Sequence, residues 1–454
     1  MKTKLLFFFL TAACLSMLAC KKDLQQTRPV NFSLQLQVDA DEISFEVPFE
    51  LANVSLTNTI NNESYTASPD ASGKVTFESL VQGTYNLNIG LTLDAETYSE
   101  LSGVHSDTPL SLNYSGDNLQ IMENKNLEVT LIAGSAIGNW VIKQVYYAGS
   151  DTRDGAVFRD QFIEVYNNSN ELLYADSLGI ALLYGAIRNE PTEFSLPNNQ
   201  YDWSKSMGMQ ADGDANTDYV YAKGLFMIPS NESGQLYPVQ PGESIVIAQS
   251  ALDHTKPYTL NSGRDQTIGD ANLTVDLSEA QFEAHLYEYE QSIEPGRSMF
   301  PSDVDNPAVP NLIVFKANGM RDMMLTPQGR DSYALFKVPS GIKIEDLPAY
   351  AVPTEREITD ASTLYPQLPI TYILDAVEVE APIQADKLPR RLPLSLDAGA
   401  VSVSGGPYSS QSIVRKTQKI VNGRRILMDT NNSAVDFGVL PKADPSQTAA
   451  SFID

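Results

Sequence analysis

The 454-residue chain carries 57 acidic against 31 basic side chains, a formal charge of −26 whose field repels nucleic acid over most of the surface. Its 42% hydrophobic content is ample for two or three packed cores without covalent staples. The only cysteines are Cys14 and Cys20, near the amino end, which excludes disulfide scaffolds, thiolate zinc sites and cysteine nucleophiles from the body of the chain.

Lys2 and Lys4, an apolar stretch from Leu5 to Ala19, and then Cys20-Lys21-Lys22-Asp23 have the layout of an export signal of the lipoprotein type. Residues 1–19 are read as the signal peptide, Cys20 as the lipidated residue and 20–30 as a tether. Met17 stands where such signals usually carry Leu, and Cys14 is a rival attachment point. Stopping at Cys14, however, leaves too short an apolar stretch. The apolar run is also shorter than the ~20 residues of a spanning helix, and no later segment reaches that length. The expected location is the outer membrane, lipid-anchored, facing either the periplasm or the cell surface.

From Asn31 to Ala133 short alternating segments are separated by polar turns. Phe32, Leu34, Leu36 and Val38 alternate with polar residues, as do Val54 and Leu56, with Asn61-Asn62 as a turn. Val75 and Phe77, then Tyr85, Leu87 and Ile89, predict two strands, with Gly73 and Gly83 at the bends. This G-x-V-x-F-x-x-L-x-x-G-x-Y-x-L arrangement resembles the transthyretin-like, carboxypeptidase-regulatory-like β-sandwich modules. The resemblance implies a spacer or stalk over 31–133, closed by a linker near Gly134 to Gly138.

Strands are expected next at 140–149 and 160–169, the second ending in Asn167-Asn168-Ser169. A Pro241-Gly242 turn runs into another near 244–248, and Tyr333–Lys337 and Ile373–Val379 complete the set. The order I-x-x-V-Y-Y-A-G, F-I-E-V-Y-N, P-G-E-x-I-V-I-A, I-L-D-A-V-E resembles the lamin-tail domain. With Leu394–Gly399 and Asp429–Phe437, the whole layout is similar to an uncharacterised family of Bacteroidota lipoproteins. The fold class expected is therefore mainly β, two β-sandwich domains. The second, over 139–454, is an immunoglobulin-like lamin-tail sandwich with long insertions near 186–235, 250–330 and 340–370. Such excursions on a rigid sandwich are where binding residues usually sit. Ser278 and Gln281 read as a capping box opening a helix through Phe282, Leu286 and Tyr289.

Asp212, Asp214, Asn216 and Asp218 place oxygen donors at alternate positions, a spacing with which a short loop can wrap Ca²⁺. The loop lacks the usual Gly at its sixth position and the bidentate Glu at its twelfth, where Lys223 stands, and the competing reading is an exposed turn. Asp303, Asp305 and Asn306 form a weaker candidate. His105, His254 and His285 lie in no metal-binding or nucleophile motif. Eight cations (Lys387, Arg390, Arg391, Arg415, Lys416, Lys419, Arg424 and Arg425) stand against one acid, Asp397, and are expected to pair with carboxylates elsewhere in the chain. Tyr146 and Tyr147, Tyr219 and Tyr221, and Tyr287 and Tyr289 are read as packing residues rather than a stacking face for sugars.

These readings point to a non-enzymatic envelope lipoprotein that binds or scaffolds. Its partner is expected to be an outer-membrane receptor or transporter, or a captured extracellular glycan or peptide. The rivals are a carboxylate-dependent hydrolase, which needs a pair of acids in a cleft, and a calcium-stabilised adhesin.

Overall fold

In the computed structural model the described residues are 29–40, 43–61, 63–105, 110–135, 139–169, 171–421 and 423–454. The signal, Cys20 and most of the tether lie outside them, as do Asn62 and residues 136–138 of the expected linker. The protein is mainly β and is built as two β-sandwiches.

In the first, β1 (Val30–Val38), β2 (Asn53–Asn58), β3 (Ser64–Ala67), β4 (Lys74–Leu80), β5 (Gly83–Leu93), β6 (Leu110–Ile121) and β7 (Lys125–Ser135) follow the order β3-β2-β5-β6-β7-β1-β4. One strand closes the fold. The first part of β7 runs parallel to β1, pairing Phe32 with Lys125 through Val38 with Leu131, and its last residues pair antiparallel with β6. Alternation then sends Phe32, Leu34, Leu36, Val54, Leu56, Val75, Phe77, Tyr85, Leu87 and Ile89 into one core, as their period-2 spacing requires. Gly73 has φ +82°, and a Cβ there would stand 2.8 Å from the Leu36 carbonyl oxygen, so the bend before β4 needs glycine. The helix α1 (Ala95–Ser102), absent from the sequence reading, is capped by Asp94 accepting from the Thr97 N–H at 2.8 Å and ends at Gly103 in the left-handed region.

The second sandwich stacks two sheets. Its six-stranded sheet uses β8 (Trp140–Tyr146), β9 (Phe162–Asn167), β12 (Ser244–Ala248), β13 (Phe282–Glu283), β19 (Ser412–Arg415) and β20 (Phe437–Leu440), in the order β13-β12-β9-β8-β19-β20. The seven-stranded sheet uses β10 (Gly179–Leu183), β11 (Tyr219–Met227), β14 (Ile313–Ala317), β15 (Ser332–Phe336), β16 (Ala349–Tyr350), β17 (Tyr365–Pro369) and β18 (Ile373–Glu378). Their order is β16-β17-β11-β10-β15-β18, with β14 also on β11. Ile142, Ile163, Val165, Ile245, Ile247 and Ile413 from one sheet meet Ile180, Leu182, Phe226, Tyr333, Leu335 and Val377 from the other. The outer face of the seven-stranded sheet is also buried, by Ala181, Val220, Ala222, Leu368 and Ile373 beneath Ile344 and Leu392.

Three expectations change here. The stretches foreseen as insertions supply β11, β14 and β17, so they are partly sandwich. β11 is buried on both faces, which erases the alternation that marks a half-exposed strand. The Ser278–Gln281 capping box does not form. Ser278 is tied to the Asp276 carboxylate, Gln281 bonds to Val246, and Phe282 is a core residue of β13. The helix starts later, as α2 (Tyr287–Ile293).

The carboxyl-terminal tail crosses the outer face of the six-stranded sheet. There fully buried Lys143 donates to Glu164 and to the Ser451 hydroxyl, each at 2.8 Å, with its ammonium 3.7 Å from the centre of the Phe452 ring. Between the sandwiches Asn113 donates through Nδ2 to the Thr430 carbonyl at 2.6 Å, next to α3 (Ser433–Asp436).

Candidate functional site

Alternation along β12 prepares an open concavity. Ile245 and Ile247 point into the inter-sheet core, so Val246 faces outward, where it joins Val275, Leu277, Ala280 and Ala443 in an apolar floor. The segment 274–281 forms one wall and the tail at 442–447 the other. They enclose an open groove of about 750 Å³. Asp276, Glu279 and Asp444 supply three carboxylates against the single ammonium of Lys442, and Thr255, Ser446 and Gln447 add hydroxyl and amide groups.

Two side chains hold the walls to the floor. Gln281 Oε1 accepts from the Val246 N–H at 2.7 Å and from Gln447 Nε2 at 3.0 Å, while its own N–H group Nε2 donates to the Glu279 carbonyl. Gln447 also donates to the Ser244 carbonyl at 3.0 Å. Its backbone sits at φ +58°, a conformation that costs a non-glycine residue and persists because those bonds hold it. None of these residues was singled out from the sequence as binding surface. Asp276 before Ser278 and Asp444-Pro445-Ser446 carry turn-forming residues and no other local signal.

The residues picked from the sequence are placed elsewhere. Asp214 accepts from the Asn216 N–H at 2.7 Å, and Asp218 from the Asp214 N–H at 2.8 Å. Asn216 turns away, accepting from the Trp203 N–H and donating to Asp202, and the Asp212 N–H donates to the Tyr219 hydroxyl. The four do not converge on a point. The spacing that suggested Ca²⁺ arises because short polar side chains bond to the backbone two to four residues away. Among the described residues no group of three or more His, Cys, Asp or Glu is arranged to hold a metal ion.

Asp303 is buried and accepts from the Leu286 N–H with both oxygens, at 3.0 and 3.2 Å. His285 stands 3.7 Å from Asp303 and 3.5 Å from Asp305. Burial, and next the charge of Asp322, push Asp303 up to about 8, and burial lifts Glu283 to about 7. Glu283 accepts from the N–H groups of Ala251 and Asn306 at 2.7 and 2.6 Å. These carboxyls anchor loops by their backbone, and neither lines the groove.

The tyrosines pack. Tyr146, Tyr147 and Tyr221 are buried, and Trp203 stacks on Tyr221 at 3.7 Å while Tyr184 stacks on Tyr365 at 3.9 Å. The basic stretch is largely absorbed by the chain itself. Lys387 meets Glu380, Arg391 meets Glu378, Arg415 meets Asp375, Asp429 and Asp436, and Arg425 meets Asp454. Arg390, Lys416 and Arg424 donate to carbonyl oxygens instead.

No helix among the described residues is long and apolar enough to cross a membrane. No curated protein matches the sequence. Among solved structures, the chain is similar to a DUF4876 family protein from Bacteroides thetaiotaomicron VPI-5482, at 22% identity and a TM-score of 0.47, over 90% of this chain and 95% of that one. It is also similar to a DUF3823 family protein from Bacteroides ovatus ATCC 8483, at 13% identity and a TM-score of 0.14, over 48% of this chain and 98% of that one. Residues 240–444, less than half of the chain but including β12 and one whole wall of the groove, match the family described as a protein of unknown function, DUF4876.

Proposed function

We propose that this is a lipid-anchored envelope binding protein, held through Cys20 at the outer membrane, whose second sandwich docks an extended, basic segment of a partner protein in the groove. The observation that carries the reading is the groove itself, an open apolar floor edged by Asp276, Glu279 and Asp444 against one lysine. Charge complementarity selects the occupant. A cationic segment meets three local carboxylates within a field set by the chain's formal charge of −26, whereas an anionic ligand meets repulsion. The fixed left-handed backbone at Gln447 and the Gln281 bridge keep the walls in place before a ligand arrives, which lowers the ordering cost of binding. Recognition is favoured over hydrolysis because the carboxyls raised by burial at Glu283 and Asp303 are committed to loop N–H groups inside the fold. An outer-membrane receptor or transporter with a basic loop fits this chemistry.

The test has two arms. Radiolabelled palmitate should be incorporated by the wild type and lost in Cys20→Ala. In binding measurements against lysine- and arginine-containing apolar peptides, the double substitution D276K/E279K should weaken affinity at least about tenfold at low salt, with the wild-type affinity itself falling as salt rises. Unchanged affinity in the double variant, or robust turnover of a glycan or peptide panel by the purified protein, would overturn the reading.

A further inference from the structure

Behind the groove wall, one residue before Thr255, the fold buries a polar group that the docking reading leaves unused. Asp160 and His254 are fully buried, and Gln249 and Asp322 are only 1% and 3% exposed. Arg159 and Tyr258 complete the set. The His254 and Tyr258 rings meet edge to face at 5.0 Å, and the Gln249 amide lies beside the Asp322 carboxyl. The Arg159 charge is felt at His254, Tyr258 and Asp322 alike.

Seven polar atoms here have no partner in the protein: Arg159 Nε, Asp160 Oδ1, both Gln249 amide atoms, His254 Nδ1, the Tyr258 hydroxyl and Asp322 Oδ1. A buried polar atom left without a partner loses its bonds to water and gains none in return, and here seven do so within one part of the fold. Something must supply the missing bonds. The loop carrying Arg159 and Asp160 is itself held in a costly shape. Val157 is a β-branched residue at φ +68°, with its carbonyl accepting from the Ser150 N–H at 2.7 Å.

The mixture of donors and acceptors selects the occupant. His254 Nε2 lies 3.0 Å from the Ser250 carbonyl and must donate, which leaves Nδ1 as an acceptor on a neutral ring. Asp160 Oδ1, Asp322 Oδ1 and Gln249 Oε1 also accept, while Arg159 Nε and Gln249 Nε2 donate. An anion would face two carboxyls. A cation would face Arg159, and among the described residues no metal-holding group exists. A neutral molecule that both donates and accepts satisfies every atom.

We propose that Arg159, Asp160, Gln249, His254, Tyr258 and Asp322 enclose an internal site for a cluster of ordered water molecules, which ties the 249–258 and 302–322 segments to the loop before β9. Burial holds Asp160 up to about 7 and Asp322 up to about 6, so each Oδ1 accepts when ionised and donates when protonated, a change of role that water accommodates and a bound counter-ion does not. Seven atoms are more than one water can serve with its roughly four bonds, so the site takes at least two.

A crystal structure of the full chain at a resolution that shows solvent tests the site. The expected result is two or more well-ordered peaks about 2.7–3.2 Å from these atoms. A dry chamber in which the side chains turn to pair with one another would overturn it, as would a single strong peak at the ~2.3–2.6 Å of a bound hard cation. Thermal unfolding of Gln249→Leu gives an independent readout. A loss of several degrees is expected, because the remaining waters lose two bonds. A rise in Tm would mark the amide as an unpaired liability in a dry core and sink the proposal.

Discussion

Arg415 and Asp375 meet at 2.6 Å across the interior of the second sandwich, one from each sheet. β19 contributes the arginine and β18 the aspartate. The same Asp375 oxygen accepts from the Ile142 N–H of β8 at 2.6 Å, and Arg415 also reaches Asp429, Asp436, the Ile142 and Met428 carbonyls and the face of Phe437. Burial pushes Asp375 and Asp436 upward while the guanidinium opposes it, so the carboxyls depend on that one cation. Arg415→Met should therefore destabilise by about 3–5 kcal/mol, the usual consequence of stranding buried charge. Urea unfolding checks this, and a loss below about 1 kcal/mol would show that the cluster does not hold the sheets together.

Asp303 gives a pH signature. Burial and then Asp322 raise it to about 8, so the folded protein keeps a proton that the unfolded chain releases near pH ~4. The stability from this site is complete below that lower value and is lost as pH rises through about 8. Asp303→Asn keeps an acceptor for the Leu286 N–H and removes the titration. Variant-minus-wild-type stability should climb by roughly 2–4 kcal/mol between pH ~4 and ~8.5. A flat difference curve from paired melts across that range would contradict the assignment.

Gln281 is predicted to be the clasp of the groove. Gln281→Leu strands the Val246 N–H and leaves the Gln447 amide with the Ser244 carbonyl as its one remaining acceptor, at a cost of about 1–3 kcal/mol. Hydrogen exchange should accelerate across 444–448 with little change in β8 and β9. Equal protection of the tail in both proteins would show that the wall stands without the clasp.

The 212–218 turn should be indifferent to metal. The Asp214 and Asp218 carboxylates accept from the Asn216 and Asp214 N–H groups, and no group of three acids among the described residues here is arranged to hold a metal ion, so a chelator is expected to leave Tm unchanged. Gly213→Ala, by contrast, should destabilise by about 1 kcal/mol or more, because the residue has φ +109° and a Cβ would stand 2.3 Å from an Asp218 oxygen. A Tm that drops in chelator and recovers with Ca²⁺ would restore the calcium reading.

Legibility followed burial geometry. Where one strand face is covered and the other wet, as in β1, β2, β4 and β5, side-chain alternation announces both strand and core, and Phe32, Leu56 and Tyr85 were readable directly. Where both faces are covered the signal vanishes, which is why β11 was hidden inside an expected insertion. Ser278 and Gln281 had the spacing of a helix cap, but tertiary partners outbid the local one: Asp276 took the serine and Val246 took the glutamine.

The sequence by itself determined the mainly β character, the two-sandwich plan and the pairing of half of the late cations, Lys387, Arg391, Arg415 and Arg425, with the chain's own carboxylates, because these follow from residue periodicity and from charge that must be paired wherever it is buried. Tertiary structure alone decided the sites. The groove walls at 274–281 and 442–447, and the orphaned atoms of Arg159, Gln249 and Asp322, belong to segments far apart in the chain. Their meeting is fixed by which sheet face each segment crosses, a relation that no local spacing encodes.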